Sequence, residues 1–262
     1  MLETAIRAAR VAGQILIEEL NKAQVIRSKG FRNIVTEVDY KAEAAILEIL
    51  QAAYPDHAIL SEEAGANEGK GHSRYLWVVD PLDGTTNYAH HYPVFSVSIS
   101  LYHDDEPLLG VVYEPNQRLL FHAERNKGAY LNDRPIHVNT APDLTRAIGG
   151  FSVPYEPPAR ELLVKLMGLI LPHIVTVRSI GSAALSLCLV AAGWIDFYIQ
   201  PSLHPWDAAA GALIVREAGG TVTNFAGECW HLTDATLLAS NGLLHNQVRK
   251  FVSLAWNEGC NK

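Results

Sequence analysis

Asp80-Pro81-Leu82-Asp83-Gly84-Thr85-Thr86-Asn87 puts two carboxylates, a glycine and two hydroxyls into one short stretch. The apolar run Tyr75 to Val79 delivers them, and its β-branched and aromatic content reads as a buried strand. Asp80-Pro81 and Asp83-Gly84 read as turns. Thr85-Thr86 reads as the opening of a short helix whose first N–H groups point outward. Carboxylate oxygens hold hard cations, and amides at a helix start hold an anion, so this spacing suits a metal-bound phosphate. Each piece also has an ordinary reading. Asp-Pro and Asp-Gly are common turn dipeptides, and Gly84 alone marks only a turn. Asp39, before Tyr40-Lys41-Ala42, suits a helix N-cap. Glu62 and Glu63 are adjacent, so on a strand they face opposite sides, and one of the two is expected to stay solvated.

The stretch 80–87 resembles the signature of the inositol monophosphatase family of Mg²⁺-dependent, lithium-sensitive phosphatases. Further family-like pieces occur in order: Thr36-Glu37-Val38-Asp39 and Ser61-Glu62-Glu63-Ala64-Gly65 before it, then Arg178-Ser-Ile-Gly-Ser-Ala-Ala184, Pro205-Trp-Asp-Ala-Ala-Ala-Gly211 and Glu217-Ala-Gly-Gly220 after it. The resemblance covers nearly the whole chain.

It implies an α/β protein, α+β in its N-terminal half, with the layered αβαβα sugar-phosphatase fold. It implies two or three Mg²⁺ ions held by Glu62, Asp80, the Leu82 carbonyl, Asp83 and Asp207, with Asp80 bridging two of them. Thr85 and Asp39 are the implied water-activating pair, and Glu62 stands close to the nucleophilic water. Gly84, Thr85 and Thr86 would seat the phosphate; Asp83, Ala183 and Gln200 would face the substrate. Lys29 resembles a family lysine in a loop near the active site. Inositol-specific relatives carry a glutamate where this chain has Gln200, which points to a broader substrate range. The implied activity is hydrolysis of inositol monophosphate or a related small polyol or sugar phosphate, by a homodimer. Fructose-1,6-bisphosphate and other substrates of the superfamily stand as alternatives, as does a regulatory protein that keeps the fold. His90, His91 and His204 show no zinc-like spacing and are set aside as ligands, since Mg²⁺ prefers oxygen.

The elements that must position these groups read as two halves. In residues 1–140, Leu2–Leu20 and Asp39–Ala53 read as helices and Arg27–Asn33 as a polar loop. His57–Ser61, Tyr75–Val79, Val94–His103, Leu108–Tyr113, Arg118–Ala123 and Ala129–Leu131 read as strands, and 67–74 as a Gly-rich loop. In residues 141–262, helices (Ala159–Leu171, Ser182–Ala192, Trp206–Ala218, Gln247–Ala255) alternate with short strands. The first half carries most of the implied metal ligands, and the second carries Asp207 and the substrate side. No linker separates them, so they are expected to pack as one body.

Composition sets bounds. The chain has 262 residues, 48% of them hydrophobic, enough for a large core. A formal net charge of −7 argues against nonspecific nucleic-acid binding, which requires a basic face. Cys188, Cys229 and Cys260 are scattered without metal or disulfide spacing, which suits a reducing cytoplasm. No apolar run reaches the length of a membrane span, and the N-terminus lacks a signal-peptide pattern.

Overall fold

Helix α1 (Leu2–Glu19) buries Ala5, Ala8, Ala9, Ala12 and Leu16 along one face. This is the i, i+3, i+4 stripe of a core-facing helix, and its small side chains let a second helix approach closely. The computed structural model describes residues 1–20, 22, 26–30, 33–67, 69 and 73–257. The Lys29 side chain, Cys260 and part of the Gly-rich stretch 67–74 lie outside the described residues. Within the polar stretch 27–33, the described residues on either side of 31–32 are backbone-paired. Strands β1 (Ile26–Gly30) and β2 (Asn33–Thr36) form an antiparallel ribbon, which needs main-chain partners rather than apolar side chains. Helix α2 (Glu37–Ala53) then lays Ala42, Ile46 and Leu50 into the same cluster as the α1 stripe.

The next elements are β3 (Ala58–Ser61), β4 (Gly65–Asn67), β5 (Tyr75–Asp83), the single-turn helix α3 (Thr85–Ala89), β6 (Ser96–His103), β7 (Glu106–Glu114), β8 (Leu119–Glu124), β9 (Ala129–Leu131) and β10 (Arg134–Ile136). Their strands form one sheet in the order β10-β9-β8-β7-β6-β5-β3-β4. It is antiparallel except for the parallel pair β3/β5. After it come β11 (Ile148–Phe151), α4 (Pro157–Ile170), β12 (Thr176–Arg178), α5 (Ala183–Ala191), β13 (Phe197–Gln200), α6 (Pro205–Glu217), β14 (Thr221–Thr223), β15 (Leu237–Ser240) and α7 (His245–Asn257). The second sheet runs β12-β11-β13-β15-β14 and is mixed, parallel around β11 and antiparallel around β15.

Three apolar clusters stack these elements into five layers. One face of the large sheet packs on α1 and α2. Its other face, through Val112, Phe121 and Ala123, shares a core with α5, α6 and the second sheet's Tyr198 and Ala239. The far face of the second sheet packs on α4 and α7 through Phe197, Leu238, Leu166 and Val252. The order is αβαβα. Helix α6 is pressed hard on β7: a Cβ at Gly110 would come within 2.7 Å of the Ala210 carbonyl oxygen. Glycine at 110 therefore sets how near the large sheet the helix carrying Asp207 can lie. Among the described residues, no helix is long and apolar enough to cross a membrane.

Candidate active site

The irregular end of β5 creates the site. Asp80 pairs with Ser98 and Asp83 with Ser96, so β5 carries one residue more than β6 between them. This is a bulge in place of the turn expected at Asp80-Pro81, while the turn expected at Asp83-Gly84 is present at Gly84. Pro81, which has no N–H to give a ladder, is at home there, and the bulge re-aims the carboxylates that flank it. Gly84 follows with φ 106°, and a Cβ there would sit 3.2 Å from both the Gly181 and Val94 carbonyl oxygens. Only glycine fits such a left-handed, enclosed position. α3 starts immediately after it, closed by the Tyr88 amide donating to the Gly84 carbonyl at 3.0 Å. The first-turn amides of Thr85 and Thr86 have no acceptor within their own helix.

Asp39 is the third residue of α2 and not its N-cap. Thr36 is the cap: its Oγ1 accepts from the Val38 amide, while Asp39 Oδ2 accepts from the Thr36 amide at 2.9 Å and its hydroxyl at 2.6 Å. That reciprocal box leaves Oδ1 facing Thr85, whose Oγ1 stands 3.1 Å away. The same hydroxyl lies 3.0 Å from the Leu82 carbonyl oxygen. It has one proton for two acceptors.

Glu62 and Glu63 lie in a turn, since β3 ends at Ser61; the strand alternation argument does not apply to them. The Glu62 amide continues the β3/β5 pairing, donating to the Val79 carbonyl at 3.2 Å. The turn is held from below by Glu43, a buried residue of α2. Glu43 Oε1 accepts from the Ser61 hydroxyl and from the amides of Glu63 and Ala64, each at 3.0 Å. Sequence reasoning missed this residue, although its i+4 spacing from Asp39 puts both carboxylates on one face of α2.

Asp83 caps α5. Its two oxygens accept from the Ser182 and Ser96 hydroxyls and from the amides of Ala183 (3.0 Å) and Ala184 (2.8 Å). Ala183 thus enters the site through its main chain. Asn87 ties α3 to the same corner, donating to the Val94 and Ile180 carbonyls at 2.7 Å each. Asp207, third residue of α6, accepts from the His204 amide at 2.6 Å. Gln200 ends β13 with both amide atoms engaged inside the protein: Tyr198 Oη stands 3.2 Å from Oε1, and Nε2 donates to the Ser202 carbonyl at 2.6 Å. Among the histidines, His90, His91 and His204 are exposed, and His204 stacks on Trp206.

Glu62, Asp80, Asp83 and Asp207 lie near enough to repel one another. Burial pushes Asp80 well above the ordinary carboxyl range, and repulsion from Glu62, Asp83 and Asp207 adds to it. Burial raises Asp83, against the pull of its Ser182, Ala183, Ala184 and Ser96 hydrogen bonds. Burial carries Asp207 to about 8, opposed by the His204 amide and helped by Asp83 and Glu62. Burial also raises Asp39, against its bonds to Thr36 and Thr85. Among the described residues, no Lys or Arg forms an ion pair with Asp80, Asp83 or Asp207. An all-oxygen, mutually repelling set with Asp80 and Asp83 buried and Glu62 and Asp207 partly exposed is what a hard divalent cation neutralises. As placed, no three His, Cys, Asp or Glu side chains among the described residues are arranged to hold a metal ion.

A family model described as the inositol monophosphatase family matches residues 1–257. An inositol-1-monophosphatase from Synechocystis is 42% identical over 251 residues, spanning 94% of this chain and 86% of its own length. The Nus factor SuhB of Vibrio cholerae is 40% identical over 244 residues, 92% of this chain and 91% of that one. The solved IMPase of Thermotoga maritima superposes with a TM-score of 0.91 at 33% identity, covering 98% of both chains. From the bulge at Asp80 to the capped Asp207, the chain belongs to the inositol monophosphatase family.

Proposed function

We infer that the chain is a Mg²⁺-dependent phosphomonoesterase of a small polyol or sugar phosphate, inositol monophosphate among its substrates. One observation carries the reading: buried Asp80 feels the charges of Glu62, Asp83 and Asp207, no basic partner pairs with the three aspartates among the described residues, and the Thr85–Asp39 pair adjoins them in the same corner. Glu62, Asp80, the Leu82 carbonyl, Asp83 and Asp207 are the groups that would hold Mg²⁺. Bound there, the ions would lower the pKa of a coordinated water and neutralise charge on the phosphoryl and leaving oxygens.

The chain's own residues supply the rest. With the Leu82 carbonyl engaged elsewhere, the Thr85 proton points to Asp39 Oδ1, and its oxygen lone pairs are left to accept from an attacking water. Burial raises Asp39, which favours its taking up the proton that Thr85 relays. The amides of Thr85 and Thr86, opened by the turn at Gly84, suit the phosphate oxygens. By the family resemblance, Ala183 and Gln200 would face the ester alcohol.

A second reading rests on the relatives named Nus factor, as similar to this chain as the named phosphatase: a regulatory role on the same fold. Retention of all four carboxylates and of the Thr85–Asp39 pair favours hydrolysis. The test is phosphate release from inositol-1-phosphate, fructose-1,6-bisphosphate and glycerol-2-phosphate, each with Mg²⁺ and with EDTA. Release that EDTA abolishes is expected; no release from any substrate overturns the reading.

A further inference from the structure

The segment between β11 and α4, residues Ser152 to Glu156, reaches from one side of the site to the other. At its root, Tyr198 Oη donates to Ser152 Oγ at 2.7 Å, and that same phenol oxygen stands 3.2 Å from Gln200 Oε1. In its middle, Arg160 Nε donates to the Pro154 carbonyl at 2.7 Å. At its far end, Tyr155 Oη lies 3.3 Å from Thr86 Oγ1. Thr86 belongs to the first half of the chain and is next to Thr85. The segment therefore leaves the Gln200 side and meets α3 at the phosphate cradle. Tyr155 remains 38% exposed. No other ring packs on it among the described residues.

We propose that Tyr155 is a specificity-determining residue that packs its ring face on a cyclic leaving group and so favours cyclic polyol or sugar phosphates over short acyclic ones. The inference rests on the phosphatase reading above. A phosphate seated at the Thr85 and Thr86 amides must send its ester alcohol away from the Thr85–Asp39 pair, because attacking and leaving oxygens lie in line. Tyr155, held at Thr86, borders that cradle with its ring open to the alcohol that leaves it. An aromatic face there covers the C–H face of a ring and excludes water from it. A three-carbon acyclic alcohol offers no comparable face. With Tyr155 Oη at Thr86 and the backbone anchored through Pro154, the ring lies beside the cradle and stays 38% exposed.

The test compares wild type, Tyr155→Ala and Tyr155→Phe on inositol-1-phosphate and glycerol-2-phosphate with saturating Mg²⁺, together with calorimetric binding of inositol-1-phosphate and of inorganic phosphate. Tyr155→Ala should lower kcat/KM for inositol-1-phosphate about tenfold more than for glycerol-2-phosphate, the range a lost pocket contact commands. Tyr155→Phe, which keeps the ring, should restore most of that ratio. A change of equal size for both substrates in Tyr155→Ala overturns the proposal and leaves the phosphatase reading standing. Absence of turnover in wild type overturns the phosphatase reading. The binding arm then decides Tyr155: selective weakening of inositol-1-phosphate over inorganic phosphate supports it, and equal or no binding overturns it.

Discussion

Without Mg²⁺ the protein should grow less stable as pH rises through neutrality, and Mg²⁺ should flatten that dependence. Asp207 is raised from 3.8 to about 8, mainly by burial, and burial also raises Asp80, Asp83 and Asp39. In the unfolded chain these carboxyls lose their protons near the ordinary value. The folded chain thus binds more protons than the unfolded chain across the interval, and stability falls with rising pH. The contribution of Asp207 is fully present below pH 3.8 and is lost as pH rises to about 8. Its slope is at most ~1.4 kcal/mol per pH unit. For a chain of this size ~1 kcal/mol moves Tm by ~2–4 °C, so this one group lowers Tm by up to ~3–6 °C per unit. Mg²⁺ at a hundredfold excess over its Kd adds ~2.7 kcal/mol per site and favours the ionised carboxylates, so the gain is greatest at the upper end. Thermal unfolding followed by circular dichroism, in EDTA and in Mg²⁺ from roughly pH 5.5 to 8.5, measures both curves. A Tm in EDTA that stays flat or rises over that range, or parallel curves with and without Mg²⁺, refutes the reasoning.

Three further outcomes follow from single contacts. Glu43→Ala removes the acceptor of three donors at the Glu62 turn and should cost ~1–3 kcal/mol for each donor that stays buried; urea unfolding checks it, and a loss below ~0.5 kcal/mol shows that the turn does not depend on Glu43. Thr85→Ala should lower kcat by ~10²–10⁴ at nearly unchanged Tm, the usual scale of general acid–base help; near-wild-type kcat removes Thr85 from proton transfer. Gln200→Glu would set a carboxylate oxygen against the Ser202 carbonyl now served by Nε2 at 2.6 Å, so it should destabilise by ~1–3 kcal/mol rather than simply add an acceptor for inositol; an unchanged Tm with a raised inositol-1-phosphate preference would instead show that residue 200 turns toward substrate.

Much of this arrangement was legible in the amino-acid order, and the reasons are physical. β6 and β7 read as a hairpin because Ser96, Ser98 and Ser100 alternate with Val97, Ile99 and Leu101 and Asp104-Asp105 turns the chain, although the fold buries both faces of β6 and so hides the small serines as well. α5 read as a buried helix because almost every residue in it is apolar. Asp80, Asp83 and Asp207 were singled out because the motifs that carry them resemble those of the family. What stayed hidden depended on tertiary partners. β11 is Ile-Gly-Gly-Phe, which shows no alternation, and it is a strand because β12 and β13 flank it. The bulge between Asp80 and Asp83 exists only relative to β6. Pro81 signals a break in regular pairing without saying whether the chain turns or bulges. Glu43 looked like one more charge on a helix, and only the fold brings it under Ser61 and the two amides. Tyr155 carried no motif; its partner Thr86 is 69 residues away.

The central claim is that Asp80 and its neighbours hold the Mg²⁺ that hydrolysis needs. Its most direct test is phosphate release from inositol-1-phosphate as Mg²⁺ is titrated into metal-free wild type and Asp80→Asn, with Mg²⁺ binding to both followed by calorimetry. The account predicts saturable activation of wild type, and loss of both Mg²⁺ binding and turnover in a folded Asp80→Asn. Full turnover in EDTA, or an Asp80→Asn protein that binds Mg²⁺ and hydrolyses substrate as wild type does, contradicts it.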